Sequence, residues 1–266
     1  MKNTQGLFAA LLLICSIQGR AQVSEQVVDI PTRPGVTQRM LLLTPAAPKA
    51  VVVLLAGGHG GLQLSADGEM QWGKGNFLVR TRQQFAQQGL SVAVIDAPSD
   101  RQEPPFLDGF RQTSAHVADL KAVIAWLHQS AALPVWLVGT SRGTQSAAFV
   151  ATELTGAAGP DGIVLTSSIM TDRWSRPVPA MPLGEIRIPA LVVHHRQDGC
   201  AICLFSGTSR LMDKLINSPK KELLAFTGGV STGDPCHAFA HHGYNGLEDE
   251  VVRQISAWVV ASAARP

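Results

Sequence analysis

The sequence predicts an α/β protein built on a doubly wound, mostly parallel sheet flanked by helices. Three observations carry this. Short runs rich in Val, Leu and Ile recur along the chain, each bounded by Gly, Pro or Asp. Amphipathic helical patterns fall between them. The alternation reaches the last segment with no internal repeat, low-complexity run or long linker, so one domain is expected.

Each element has its own signal. Gln38–Leu43 reads as a leading antiparallel strand. Ala50–Leu55, Ser91–Ile95, Pro134–Val138, Gly162–Thr166 and Pro189–His194 are continuous apolar runs of buried-strand length, and Leu223–Phe226 is a shorter one. Phe77–Gln88, Thr113–His128, Ser141–Glu153, Ser206–Ile216 and Leu247–Val260 read as helices. Val117, Leu120, Ile124 and Leu127 share one face of the second, and Val251, Ile255, Trp258 and Val259 one face of the last.

Residues 1–21 read differently. Lys2 precedes an apolar run from Leu7 to Ile17, and Gly19-Arg20-Ala21 forms a small-x-small cleavage site, as in a secretory signal peptide. A mature chain of 22–266, periplasmic or secreted and without a membrane span, is therefore expected. Composition sets wide bounds. Of 266 residues, 45% are hydrophobic, 16% charged and 6% aromatic, which excludes collagen-like, coiled-coil and disordered classes. The formal charge of +2 gives no footprint for nucleic acid. Loss of Lys2 and Arg20 would leave bases and acids equal in number.

Chemistry enters at Gly139-Thr140-Ser141-Arg142-Gly143. The pentapeptide G-x-S-x-G is weak alone, but it follows a buried-strand run and opens a helix, the context a nucleophile elbow needs. The turn would lift Ser141 above the sheet edge, beside the backbone N–H groups of a helix N-terminus. A serine hydroxyl needs a base, and the base needs an orienting carboxylate. Asp198 lies just beyond the strand ending at His194, with Asp172 as second choice. Histidine titrates in the range a general base requires, and His242 precedes the last helix. His241 ranks second and His237 third. For the oxyanion, the strand Val51–Ala56 runs into Gly57-Gly58-His59-Gly60-Gly61. One donor is assigned to the Arg142 N–H and the other to Gly58 or His59. The glycine run lacks the Lys-Ser/Thr of a phosphate-binding loop.

With these residues in place, the chain resembles the α/β-hydrolase superfamily, and in its compact layout the small dienelactone hydrolase-like esterases. The resemblance rests on the order Ser141, Asp198, His242 and on the early Gly-rich loop. It implies an eight-stranded sheet and cleavage of carboxylic esters through an acyl-enzyme on Ser141, with a peptidase or amidase on the same triad as the alternative. It implies no cofactor, no metal and a small-molecule ester as partner. Two departures stand out. Dienelactone hydrolases proper use Cys where this chain has Ser141, and Gly-Gly-His-Gly-Gly replaces His-Gly-Gly-Gly. The linker bearing Trp174, Pro177, Pro179 and Pro182 is long enough for a rim, not for a cap domain. Leu62–Asn76 and Ala97–Gln112 are expected to line the pocket; Trp72, Phe106 and Phe110 read equally as acyl contacts or as scaffold packing, and Arg111 and Arg142 as solvated surface cations or as groups meeting an acidic substrate.

Export would leave three cysteines. If the triad is right, Cys200 and Cys236 meet at one sheet edge, where a disulfide would tie the acid loop to the base loop; Cys203 is either the alternative partner or a free thiol. Other classes remain open. Cys200-Ala201-Ile202-Cys203 is a C-x-x-C, which with Cys236 and the nearby histidines could hold zinc or exchange disulfides. A noncatalytic binding protein on a hydrolase-like fold is the third reading.

Overall fold

The computed structural model describes residues 23–263, so the expected signal peptide lies outside the described residues. Eight strands form one sheet: β1 (Ser24–Arg33), β2 (Val36–Thr44), β3 (Ala50–Leu55), β4 (Leu90–Pro98), β5 (Val135–Thr140), β6 (Gly162–Thr166), β7 (Ala190–His195) and β8 (Lys221–Phe226). Their spatial order is β1-β2-β4-β3-β5-β6-β7-β8. β2 runs antiparallel to both β1 and β4, and β4 onward is parallel.

The long apolar runs are explained by two cores, one on each face. Side chains alternate across a strand, so a strand covered on both faces has apolar residues at every position. Val51, Val53, Leu55, Leu137 and Leu165 point to one side. There they meet α3 (Ser114–Ala131), α4 (Gly143–Glu153) and α5 (Thr208–Lys214) through Leu120, Ile124, Ala147 and Leu211. Val52, Leu54, Trp136, Val138 and Val193 point to the other. They pack on α1 (Phe77–Arg80), α2 (Arg82–Gln87) and α6 (Glu248–Ala263) through Phe77, Phe85, Ile255 and Val259.

Three elements differ from expectation. β1 is an added edge strand; its Ser24, Glu25 and Gln26 are exposed, which hides it from a hydrophobicity reading. The helix expected over Phe77–Gln88 breaks at Thr81, whose hydroxyl donates to the Phe77 carbonyl at 2.7 Å. The fourth helix is shorter than its pattern, beginning at Thr208.

Register positions the site. Leu55 pairs with Gly139, Thr140 with Thr166, Thr166 with Val193, and His195 with Phe226. The carboxyl ends of β3, β5, β6 and β7 therefore line one edge, where open parallel sheets place their ligands. No large cap covers it: between β6 and β7 the regular elements are only two short 3₁₀ turns, Val178–Ala180 and Leu183–Glu185.

Candidate active site

Ser141 ends β5 and precedes α4 with φ +52°, a left-handed conformation unusual for a residue with a Cβ. The flanking glycines make this turn possible. A Cβ on Gly139 would collide with the Gly143 carbonyl, and one on Gly143 with the Leu55 carbonyl. The elbow thus closes against both its own helix and the neighbouring strand. The Ser141 N–H donates to the Thr166 carbonyl at 3.0 Å. The Arg142 N–H has no partner among the described residues.

Asp198 and His242 meet as expected. His242 Nδ1 lies 2.9 Å from Asp198 Oδ2, with both side chains nearly fully buried at 6% and 0% exposed. The carboxylate fixes Nδ1 as the protonated nitrogen and leaves the Nε2 lone pair free, the state a general base requires. The other Asp198 oxygen accepts from the Cys200 N–H at 2.9 Å. The base loop is anchored from below. Ser167 Oγ donates to the His242 carbonyl at 2.7 Å. The Tyr244 hydroxyl donates to the Val193 carbonyl at 2.8 Å and accepts from the Ser167 N–H at 3.2 Å. Arg80 reaches the Gly243 carbonyl at 2.6 Å and Glu248 at 2.8 Å.

The second choices have other occupations. Asp172 is bonded by Arg142 at 2.8 Å, by Ser175 at 2.6 Å and by the Trp174 N–H at 3.0 Å. Burial works against its charge, but these bonds outweigh burial and hold the carboxyl below its usual range. Arg142 is thereby committed to Asp172. His241 stacks on His195 with ring centroids 4.3 Å apart and faces the Gln197 carbonyl. His237 makes no side-chain hydrogen bond among the described residues and lies exposed.

Cys200 and Cys236 are joined in a disulfide that ties the acid loop to the base loop, and Cys203 is free and buried. The Cys203 thiol lies beside the Ser141 hydroxyl, and burial pushes it far above the ordinary thiol range. It stays a neutral SH. Its sulfur, Cys200 Sγ and a His242 ring nitrogen fall within 4.8 Å of one another. This is the cluster the zinc reading requires, but the disulfide removes Cys200 as a thiolate, so the donor set present does not suit zinc. Ser141 and His242 thus flank the same buried thiol. Ser141 makes no direct hydrogen bond to His242 among the described residues, a common state of such pairs without substrate.

The Gly-rich loop passes in front of Ser141, with Gly57 against its Cβ. The N–H groups of Gly58 and His59 have no partners among the described residues. Of the three aromatics, Trp72 and Phe106 sandwich the His59 ring at centroid distances of 3.9 and 4.4 Å, and Phe110 packs with Ala97 and Leu107. Burial holds His59 below the usual imidazole range, the Asp108 charge working against it. Leu62–Gln63–Leu64 does not face the cleft: its three N–H groups bind the Asp96 carboxylate at 2.6, 3.1 and 2.8 Å. A cavity of about 410 Å³ opens beside Arg142, lined by Leu107, Gly109, Arg111, Gln112, Gln145 and Trp174 among others. Another of about 580 Å³ lies across Arg142, with Thr171 and Ile202 in its walls. Trp174 borders both and is 80% exposed, forming the rim the linker was expected to give. Sequence reasoning missed the supporting groups Tyr244, Ser167, Arg80 and Asp96. The one available signal was Tyr244, the only tyrosine in the chain, two residues after the chosen histidine.

Comparison with solved structures places this architecture. No family model and no curated sequence matches the chain. The fold is that of the α/β-hydrolases. The chain is similar to a dienelactone hydrolase from Anabaena variabilis, with TM-score 0.62 and 17% identity over 91% of this chain and 100% of that one. It is similar to an esterase from Pyrococcus furiosus, with TM-score 0.65 and 13% identity over 91% and 92%. A third is the esterase domain of a Rhodothermus marinus protein, with TM-score 0.61 and 15% identity over 91% and 100%. Among the described residues no helix is long and apolar enough to cross a membrane.

Proposed function

We propose that this protein is an exported serine hydrolase that cleaves carboxylic esters of small or medium size, with residues 22–266 forming one catalytic domain after removal of 1–21. One observation carries the reading. A serine held in a left-handed strand–helix turn shares its sheet edge with a buried, hydrogen-bonded Asp198–His242 pair. The names of the similar structures agree with it.

His242 Nε2 takes the Ser141 proton as Oγ attacks the ester carbonyl. Asp198 holds the Nδ1–H and stabilises the imidazolium that forms. The unpaired N–H groups of Arg142 and of Gly58 or His59 receive the oxyanion. His242 then protonates the leaving alkoxide, and the same nitrogen activates water to release the acid from Ser141. The open rim at Trp174 admits soluble substrates without a gating lid.

The test is hydrolysis of p-nitrophenyl acetate, butyrate and octanoate beside matching anilides and short peptides, using the purified mature chain. Ester turnover that vanishes in Ser141→Ala supports the reading, with short acyl chains preferred. Faster cleavage of anilides than esters would make it an amidase on the same groups. Full ester turnover in Ser141→Ala would end the serine mechanism. N-terminal sequencing of exported protein should begin at residue 22.

A further inference from the structure

Arg111 is buried, and no carboxylate bonds it among the described residues. Nη2 donates to the carbonyls of Ala56 and Gly58, both at 3.0 Å, and Nη1 donates to Ser146 Oγ at 3.0 Å. Nε is buried without a partner. Burial pulls the guanidinium down to about 10, so it keeps its charge at neutral pH. A buried cation with no bonded carboxylate is unfavourable unless its donors are well used; the Asp108 charge near Arg111 helps but does not bond it. Here two of its three hydrogen bonds go to backbone oxygens at the start of the Gly-rich loop, one just before it at Ala56 and one within it at Gly58.

Those bonds orient the loop. In a trans peptide the C=O and the following N–H point in opposite directions. With the Gly58 carbonyl on Arg111, the His59 N–H faces away from it, and that amide is unpaired among the described residues. The same segment takes a further carbonyl, since the Leu107 N–H donates to His59 O at 3.0 Å. Gly60 allows the approach: a Cβ there would collide with Arg111 Nη2. Behind Ser146 stands His116, whose Nε2 lies 2.9 Å from the same Oγ and whose burial lowers it to about 3, so it is neutral and adds no competing charge.

We infer that Arg111 is a positioning residue of the oxyanion loop, holding the Ala56 and Gly58 carbonyls so that the His59 N–H is presented to the developing oxyanion. This rests on the serine-hydrolase reading above. It also separates the two candidate donors, favouring His59 over Gly58, and it gives Arg111 a task other than meeting an acidic substrate.

Three variants test it. Arg111→Met removes all three donated bonds, Arg111→Lys keeps the charge without the planar fork, and Ser146→Ala removes only the partner outside the loop. Sites are counted by fluorophosphonate labelling to completion. For each variant kcat and KM per labelled site are measured with p-nitrophenyl acetate, and inhibition with a trifluoromethyl ketone, which forms an oxyanion on serine. Arg111→Met should lower kcat at least about tenfold, since losing one oxyanion donor costs on the order of 100-fold or more. KM should move less than about threefold, because the loss falls on the transition state rather than on ground-state binding. Affinity for the ketone should fall in parallel with kcat, Arg111→Lys should recover part of the loss, and Ser146→Ala should stay within about twofold of wild type by the same reasoning. Wild-type kcat per site in Arg111→Met would overturn the inference. So would an equal loss in Ser146→Ala, which would mark a general packing role. Should Arg111→Met fail to fold, Arg111→Lys decides: reduced kcat with unchanged KM and melting temperature supports the inference, and wild-type kcat refutes it. Failure of wild type to label at Ser141 would instead bring down the hydrolase reading and this inference with it.

Discussion

Two loops at one sheet edge are held by opposite means. The corner carrying Asp198 and His242 is fixed by a disulfide and by buried side chains, with Tyr244 and Ser167 binding it to β7 and to the end of β6. The loop Gly57–Gly61 has no covalent tie. A cation takes its carbonyls at one end, through Arg111, and the Asp96 carboxylate takes the N–H groups just beyond its other end. The reason is chemical. A base must keep one tautomer and one direction, which a rigid corner supplies. A loop that offers backbone N–H groups to an oxyanion must leave them bare, and holding this one through carbonyls and flanks leaves the Gly58 and His59 N–H groups without partners among the described residues.

The comparison breaks hardest at the reacting groups. Replacing His242 by Ala should lower kcat at least about 1,000-fold, while substrate affinity and folding stay near wild type. Steady-state kinetics with a circular dichroism check would measure it. Next comes the covalent tie. Changing Cys200 and Cys236 together to Ser should cost about 3–4 kcal/mol of stability, the loop-closure expectation for a separation of 36 residues. Urea unfolding reads this, and the loss should be accompanied by lower kcat because the acid and base loops part. Unchanged stability would show that the buried hydrogen bonds alone hold the corner.

Tyr244→Phe is smaller. It removes a hydroxyl that accepts from the Ser167 N–H and donates to the Val193 carbonyl, but those two groups keep their own 3.0 Å bond, so the cost is about 0.5–1.5 kcal/mol. A kcat loss of a few-fold should accompany it, seen beside the shift in unfolding midpoint. A cost below about 0.5 kcal/mol would mean that backbone pairing compensates.

The last effect is absent at neutral pH and emerges only in acid. Burial lowers His116 to about 3 and His194 to about 4, against an ordinary value of 6.5. Both are neutral when folded, while the unfolded chain binds their protons near 6.5. The unfolded state therefore carries more protons between about pH 6.5 and 4, and stability is lost as pH falls through that window. Each group contributes a slope of at most about 1.4 kcal/mol per pH unit. His194→Gln should flatten the fall of melting temperature across that range by roughly one proton's share. An unchanged slope would place the acid sensitivity elsewhere.

The same contrast explains what the sequence revealed. β3 to β7 were legible because strands buried on both faces must be apolar at every position. Ser141, Asp198 and His242 were legible because reactive residue types stand at strand ends in a fixed order. Their supports were not. Asp96 binds N–H groups more than thirty residues back in the chain, and Arg111 binds carbonyls still farther away, as the separations of 34 and 55 record. No local pattern announces such a contact: Arg111 reads in the sequence as a surface cation or a group for an acidic substrate, and the fold buries it. Phe106 and Trp72 were ambiguous for a related reason: an aromatic near a pocket segment reads equally as substrate contact or as scaffold packing, and both pack on His59. The edge strand β1 was hidden by its polar face.

The most direct measurement is peptide mapping of the mature protein after reaction with a fluorophosphonate. A single adduct on Ser141, absent from Ser141→Ala and strongly slowed in His242→Ala, is the predicted result. An adduct on another residue, or none while ester hydrolysis proceeds, would contradict the account.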